Sequence, residues 1–138
     1  MIVKGKLIKC KREVKEFKKG TSKNKLWITL AEVKLSDDQL KELREAFKDS
    51  GKNFTPDWIL EPEGYINVST EFELPVRVAY TEEVTDHDSI ESILKDITWV
   101  GAECNLNLNI KEGAVYPVAI MLTKEGEARN PFAAFDEE

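Results

Sequence analysis

Apolar and polar side chains alternate with a period of two along much of this chain, which is the pattern of strands that bury one face. In residues 25–33, for example, Leu26, Ile28 and Leu30 fall on one face and Trp27 falls on the other. The segments that carry strand patterns are residues 2–10, 25–33, 65–80, 102–110 and 114–123.

The longest alternating segment, residues 65–80, exceeds the usual length of a strand. Pro75 lies inside it and has no backbone N–H, so it interrupts the hydrogen-bond ladder. We therefore expect a bent strand, or two strands that meet near Pro75.

Helical patterns are confined to two short segments. Ser36 and Gln39 form a capping box, and Leu43 and Phe47 then repeat on one helical face. The second predicted helix covers residues 86–97, where isoleucine and leucine side chains share one stripe.

About five strands and two short helices predict a mainly β domain of the α+β class. The count and the size match the OB-fold, a five-stranded partly open barrel. We assign this domain to residues 1–123. The apolar pattern ends there, and residues 124–138 are expected to form a flexible acidic tail.

The composition, 138 residues with 41% apolar and 33% charged, is that of one globular domain. The longest apolar runs are a few residues, which predicts no membrane span, and the first residues lack the features of a secretory signal. Cys10 and Cys104 belong to no metal or redox motif, and we expect both to be reduced. These features favour a cytoplasmic protein without a metal or cofactor.

The distribution of charge changes this picture. Residues 1–34 carry eleven Lys/Arg and three Glu, a net charge of +8, whereas residues 35–138 carry a net charge of −14. A cationic surface suits the phosphate backbone of nucleic acid. An acidic segment suits a protein partner, or the protein's own basic surface.

The positive charge is concentrated where residues 2–10 and 25–33 predict a hairpin, in a long connecting loop that also contains Phe17. Cations neutralise phosphates, and exposed aromatic rings such as that of Trp27 stack on the bases of a single strand regardless of sequence. The alternative for Trp27 is packing against the core under the loop. The cations of this segment are Lys9, Lys11, Arg12, Lys15, Lys18, Lys19, Lys23 and Lys25.

A second candidate surface is the polar face of residues 65–80. Tyr65 leads this face, Asn67 follows it, and Arg77 lies further along. On an open barrel such a face contacts oligonucleotides by stacking and by amide hydrogen bonds. The alternative is an ordinary solvated sheet face. A similar polar face is formed by Asn105, Asn107 and Asn109.

The sequence carries no combination of residues that predicts catalysis. It contains no glycine-rich phosphate loop, and neither cysteine has a histidine near it in the sequence. We interpret the single histidine, His87 between Asp86 and Asp88, as part of a helix cap and not as a metal or acid–base site. We therefore expect a binding protein and not an enzyme.

The C-terminal segment combines large aromatic and acidic residues, which is typical of a short linear motif that binds a partner. In the free protein we expect this tethered anionic segment to compete with DNA for the basic hairpin. The residues that we assign to partner binding are Pro131, Phe132, Phe135, Asp136, Glu137 and Glu138.

In order and pattern, most of the chain resembles the single-stranded DNA-binding proteins encoded by bacteriophages. The resemblance rests on loose motifs in residues 26–30, 36–43, 64–70 and 101–106. Its most characteristic part is the tail Asn-Pro-Phe-Ala-Ala-Phe-Asp-Glu-Glu at residues 130–138.

This resemblance implies an OB-fold that coats single-stranded DNA in the bacterial cytoplasm during phage replication, recombination and repair. It also implies that the acidic aromatic tail recruits polymerase, helicase or other replication proteins. The bacterial type of tail ends in Pro-Phe, whereas Pro131 and Phe132 are internal here.

The residues leave three alternatives open: a protein–protein adaptor, an acidic inhibitor that mimics DNA, and an RNA-binding OB domain. They also leave open whether the protein is a homodimer.

Overall fold

The computed structural model describes a mainly β chain with one α-helix, and its described residues are 1–17, 21–49, 64–111 and 114–127. For some of them it describes the backbone alone: residues 15–17, 21–23, 46–49, 111 and 114. The elements are β1 (Ile2–Phe17), β2 (Thr21–Ala31), α1 (Asp37–Asp49), β3 (Ile66–Thr70), β4 (Val76–Val78), β5 (Thr85–His87), β6 (Ala102–Lys111) and β7 (Ala114–Lys124).

These strands form one sheet in the order β3-β2-β1-β6-β7-β4-β5. β3 and β4 lie near opposite ends of this order, yet only residues 71–75 connect them. In a flat sheet, strands five positions apart are separated by about 24 Å. The chain from Thr70 to Val76 spans at most about 22 Å. The sheet therefore curls until its two ends approach each other.

One hydrophobic core fills the inside of the curl. Leu26, Ile28 and Leu30 of β2 are completely buried, as the alternation predicts. Both ends of the sheet contribute to the same cluster, because Val68 of β3 and Val76 of β4 are buried in it. Every strand except the short β5 thus has an inner face in the core and an outer face toward solvent.

β1 bends at a bulge. Its register against β2 shifts between Leu7 and Lys9, so the extra residue Ile8 and the following Lys9 are both exposed. Before the bulge, residues 2–7 pair with β6, and after it residues 9–17 pair with β2. The bulge also reverses which residues face inward: Leu7 is buried before it and Cys10 after it.

The hairpin predicted from residues 2–10 and 25–33 forms, but the prediction of a long basic loop between them is wrong, because most of that segment is paired strand. Residues 11–17 are bonded to residues 21–27, and β3 reaches along β2 only as far as Leu26. Residues 12–17 and 21–25 therefore form a two-stranded projection, which we call the basic arm. Val14 lies on the inward side of this arm and is 59% exposed, since the arm extends past the core.

The segment 65–80 forms two strands, β3 and β4, which confirms the expectation of two strands meeting near Pro75. The alternation ends at Thr70, whose Oγ1 accepts a hydrogen bond from the backbone N–H of Phe72. Phe72 is then 77% exposed. The prediction of five strands is wrong for the described chain, since this break and the additional strand β5 bring the number to seven.

The first predicted helix is confirmed as α1. The backbone N–H of Gln39 donates to Ser36 Oγ at 3.2 Å, and the backbone N–H of Ser36 donates to Gln39 Oε1 at 3.1 Å, which is the reciprocal capping box. Gln39 Nε2 also donates to the carbonyl of Ile2, which ties the helix start to β1. No helix in the described ranges is long and apolar enough to cross a bilayer.

The second predicted helix, residues 86–97, is wrong. Asp86 and His87 belong to β5, which pairs with β4. Ile90 begins a single 3₁₀ turn, and the backbone N–H of Ile90 donates to the Leu74 carbonyl. Ile90 and Ile93 are buried, so the apolar stripe reports burial but not a helix. His87 consequently lies in a strand and not at a helix cap.

The last described residues remain attached to the fold. After β7 ends at Lys124, the N–H of Gly126 donates to the Thr98 carbonyl and the N–H of Glu127 donates to the Val100 carbonyl. Residues 124–127, which we assigned to the tail, are thus bonded to the domain, and residues 128–138 lie outside the described residues.

Two glycines with positive φ provide a matched test of the packing at the start of β3. A Cβ at Gly64 (φ 59°) would lie 2.0 Å from the Val33 carbonyl oxygen, whereas one at Gly101 (φ 82°) would contact nothing within 4 Å. We predict that Gly101→Ala costs about 1 kcal/mol of unfolding free energy from backbone strain alone, and that Gly64→Ala costs clearly more. Urea denaturation of both variants measures this. Equal losses would contradict the close packing of Gly64 on Val33.

Candidate nucleic-acid interface

An aromatic ring lies at the centre of the outer face of β2. Trp27 is half-buried, while its neighbours Leu26 and Ile28 are completely buried on the inner face. The residue opposite Trp27 in β1 is Lys11, and the residue opposite it in β3 is Ser69. Trp27 thus lies on the face predicted by the alternation and is flanked by one cation and one hydroxyl.

Lysines surround this ring. Lys9 and Lys11 are exposed on the outer side of β1, because the bulge at Ile8 turns them outward. The ammonium of Lys25 lies 6.0 Å from the centroid of the Trp27 ring, at the outer limit of a cation–π contact. The surface therefore offers positive charge directly beside an aromatic face.

The polar side chains of β3 continue this surface. The hydroxyl of Thr29 donates to Asn67 Oδ1 at 2.9 Å, which holds the exposed Asn67 amide against β2. Tyr65 is half-buried and directly precedes β3. Across β1, β2 and β3 the surface is about 10 Å wide, since neighbouring strands lie about 4.8 Å apart. We name it the cationic platform and define it as Lys9, Lys11, Lys25, Trp27 and Asn67.

Arg12 is not part of this platform. It lies opposite Leu26, on the inner side of β1, and its Nε is 2.9 Å from both carboxylate oxygens of Glu91. Nη2 also donates to Glu91, and Nη1 donates to Asn24 Oδ1 at 2.9 Å. The guanidinium therefore fastens the base of the basic arm to the 3₁₀ turn, and its hydrogen bonds hold the pKa of Glu91 below the ordinary value.

Arg77 also lies away from the platform, on the outer face of β4. Its Nε donates to Asp86 Oδ1 at 2.6 Å and its Nη2 donates to Asp86 Oδ2 at 2.9 Å. These bonds lower the pKa of Asp86. Arg77 is thus an exposed, paired cation that borders a second surface feature.

That feature is a groove of about 610 Å³ on the outer face of β1, β6, β7, β4 and β5. Its lining is mainly apolar, with Asn105 and Asn107, two of the predicted polar-face asparagines, on the β6 side. The residues that line this groove include Ile2, Arg77, Asp86, Asn107, Ala119 and Met121.

Several predicted site residues are not described beyond their backbone, or not at all. Lys15, Phe17 and Lys23 lie in the strands of the basic arm, and their side chains are not described. The predicted residues that lie outside the described ranges are Lys18, Lys19, Pro131, Phe132, Phe135, Asp136, Glu137 and Glu138.

Sequence reasoning missed the apolar residues on the outer surface. Phe72 is 77% exposed and Ile2 is 52% exposed. The sequence feature that could have indicated the exposure of Phe72 is its position between Glu71 and Glu73, three residues before Pro75. Ile2 carried no signal, because only the pairing of β1 with β6 decides which face it takes.

The described residues contain no group of three or more His, Cys, Asp or Glu side chains that could hold a metal ion. Both cysteines are free thiols, and burial raises the pKa of each to about 12. The described surface thus carries a partly aromatic, lysine-rich platform and a mainly apolar groove. No protein-family model matches this chain, and no curated protein matches it.

The Arg12–Glu91 pair predicts a pH dependence of stability. Because folding lowers the pKa of Glu91 from its usual 4.5, the pair stabilises the fold above that value and the effect is lost as the pH falls through the folded-state pKa. We predict that Glu91→Gln lowers the unfolding free energy by up to about 1 kcal/mol near neutral pH. The difference from the wild type should shrink as the pH falls through the folded-state pKa, because the carboxylate is protonated below it. Urea denaturation across this range measures it.

Glu71→Gln, at an exposed carboxylate outside this pair, is the control and should follow the wild type at every pH. A Glu91→Gln deficit that persists undiminished in acid would show that the pair does not act through the carboxylate charge.

Proposed function

We propose that this chain forms an OB-fold and binds single-stranded DNA without sequence preference. The first support is the pairing order. If β3 and β4 are counted as halves of one strand broken near Pro75, and the three-residue β5 is left aside, the principal strands number five. β1 pairs with β2 and β6, β6 pairs with β7, and the broken strand joins β2 through β3 and β7 through β4. A five-stranded, partly open barrel has this closure.

The second support is the position of the platform. In an OB-fold, the face of the second and third strands and the loops beside it contact oligonucleotides. Trp27 and Asn67 lie on that face here, since β2 and β3 are the second strand and the first half of the third. The observation that carries the proposal is the outward ring of Trp27 between Lys11 and Ser69, with the Lys25 ammonium beside it.

The chemistry of the platform favours an unpaired strand. An aromatic ring stacks on a base only if the face of that base is exposed, and in a duplex the bases already stack on one another. The lysines beside the ring neutralise the phosphates that flank a stacked base. Neither contact reads a base edge, so the binding has no sequence preference.

The proposed role is protection of exposed strands during phage DNA replication and recombination, in the cytoplasm of the host. The support for this role is the resemblance of residues 26–30, 36–43, 64–70, 101–106 and 130–138 to phage single-stranded DNA-binding proteins. In the same proposal, the segment with Phe132 and Phe135 recruits replication or recombination proteins.

Replacing Trp27 tests the stacking contact. We predict that Trp27→Ala weakens binding to oligo-dT by about 1–3 kcal/mol, because one stacking surface is lost. Trp27→Phe keeps a ring at the same place and should retain most of the affinity. Fluorescence anisotropy of labelled oligo-dT measures both variants.

Thermal denaturation of the same variants is the control. The Trp27 side chain lies outside the core, so Trp27→Ala should change the Tm by a few degrees only. Unchanged DNA affinity together with a large drop in Tm would mean that the ring serves the fold and not a nucleic acid.

Salt dependence tests the lysines. Each phosphate contact on a single strand contributes about −0.7 to the slope of log K against log salt. We predict that Lys9→Ala combined with Lys11→Ala makes this slope shallower by about 1.4. The control pair, Lys41→Ala with Lys95→Ala, removes two exposed lysines outside the platform and should leave the slope unchanged. Equal slopes for the two double variants would contradict phosphate contacts at the platform.

A further inference from the structure

The groove is an apolar surface on the solvent side of the sheet. Ile2, 52% exposed, lies beside Asn107, which in turn lies opposite Ala119 on β7. Met121 lines the groove one step further along β7. The inner faces of these strands already form the core, so the groove contributes nothing to folding that would explain its apolar lining. Exposed apolar grooves of this kind mark binding sites.

The charges at the groove do not suit DNA. Arg77 is neutralised by Asp86, and Asp88 adds a further carboxylate to the same rim. The lysines of the platform lie on the opposite half of the sheet order, on β1 beyond the bulge and on β2. A partner for the groove should therefore be apolar in its contact residues, and not a phosphate backbone.

The segment 128–138 of this chain has suitable chemistry. Its sequence is Ala-Arg-Asn-Pro-Phe-Ala-Ala-Phe-Asp-Glu-Glu, with Phe132 and Phe135 separated by two alanines. Aromatic side chains gain the most from burial in an apolar groove. Small residues between them allow both rings to approach one surface.

The segment also has suitable length. The described chain ends at Glu127, whose N–H is bonded to the Val100 carbonyl. From Val100 to Asn105, at the near end of the groove, the chain advances five residues, or about 17 Å. The five residues from Glu127 to Phe132 span about the same distance when extended. Three further residues bring Phe135 to the region of Asn107 and Ile2.

We propose that residues 128–138 dock in this groove of their own chain, with Phe132 and Phe135 against Ile2, Ala119 and Met121. Tethering places the segment at a local concentration of about millimolar, so modest contacts keep it docked. Docking covers the two phenyl rings, and a protein partner of the segment must then displace them from the groove. The proposal does not depend on DNA binding.

A spin label attached near the end of the segment tests this directly in the full chain. Glu137→Cys provides the attachment point, and the native thiols of Cys10 and Cys104 do not compete, because both are buried and have a pKa of about 12. In nitrogen-15 spectra we expect the label to broaden the amides of Asn107 and Ala119, while those of Lys11 and Trp27 stay sharp. Broadening at Lys11 and Trp27 would place the segment on the cationic platform and overturn the proposal.

Matched variants identify the contacts. Phe132→Ala with Phe135→Ala should abolish the broadening in the groove, whereas Asp136→Asn with Glu138→Gln should leave it. Ile2→Gln should weaken it, and Val84→Gln, at a residue that is 60% exposed and does not line the groove, should not. Groove docking should persist in about 1 M salt, where the Debye length is about 3 Å. Loss of the broadening in salt or on removal of the acidic charges would contradict apolar docking.

Two further controls separate the alternatives. When spin-labelled chains without nitrogen-15 are mixed with unlabelled nitrogen-15 chains, broadening of the groove amides would show docking onto a second copy and overturn the intramolecular proposal. Oligo-dT binding by Ile2→Gln should match that of the wild type. If no chain binds oligo-dT while the spin label still reports docking, the proposed function fails and the docking stands.

Discussion

The short connection between Thr70 and Val76 constrains the whole molecule. It joins strands from near opposite ends of the sheet order, and five residues are too few to span a flat sheet. The sheet must curl, and curling gives every strand an inner and an outer face. The inner faces of β1, β2, β3, β4, β6 and β7 then supply one core, which leaves the outer faces available for binding.

The outer surface divides into a cationic region and an apolar region. The half nearest β2 carries Trp27 and the lysines of the platform, while the half nearest β4 carries an apolar groove bordered by Asp86 and Asp88. In the proposed function, the net charge of −14 over residues 35–138 disfavours a polyanion elsewhere on the molecule and directs the nucleic acid to the platform. Under the two proposals, the platform and the groove bind different ligands.

The sequence predicted those elements whose local pattern has one physical meaning. Alternation gave the inner residues of β2 and β6, and the Ser36–Gln39 capping box gave the start of α1. The helix predicted for residues 86–97 is wrong, because a stripe of buried isoleucines also arises in a 3₁₀ turn packed on the core. The bulge at Ile8 could not be predicted, yet it decides that Lys9 and Lys11 face outward and that Arg12 faces inward to Glu91. Cross-strand partners, which fix Arg77 beside Asp86, likewise depend on register and not on local sequence.

The central claim is that the platform binds the exposed bases and phosphates of an unpaired strand. The most direct measurement is a titration of the wild-type chain with oligo-dT and with a duplex of the same length, followed by intrinsic tryptophan fluorescence. We predict saturable quenching by oligo-dT that is absent from Trp27→Phe, and much weaker binding to the duplex, whose bases are already stacked. Equal affinity for the two, or no change in fluorescence with either, would contradict the account.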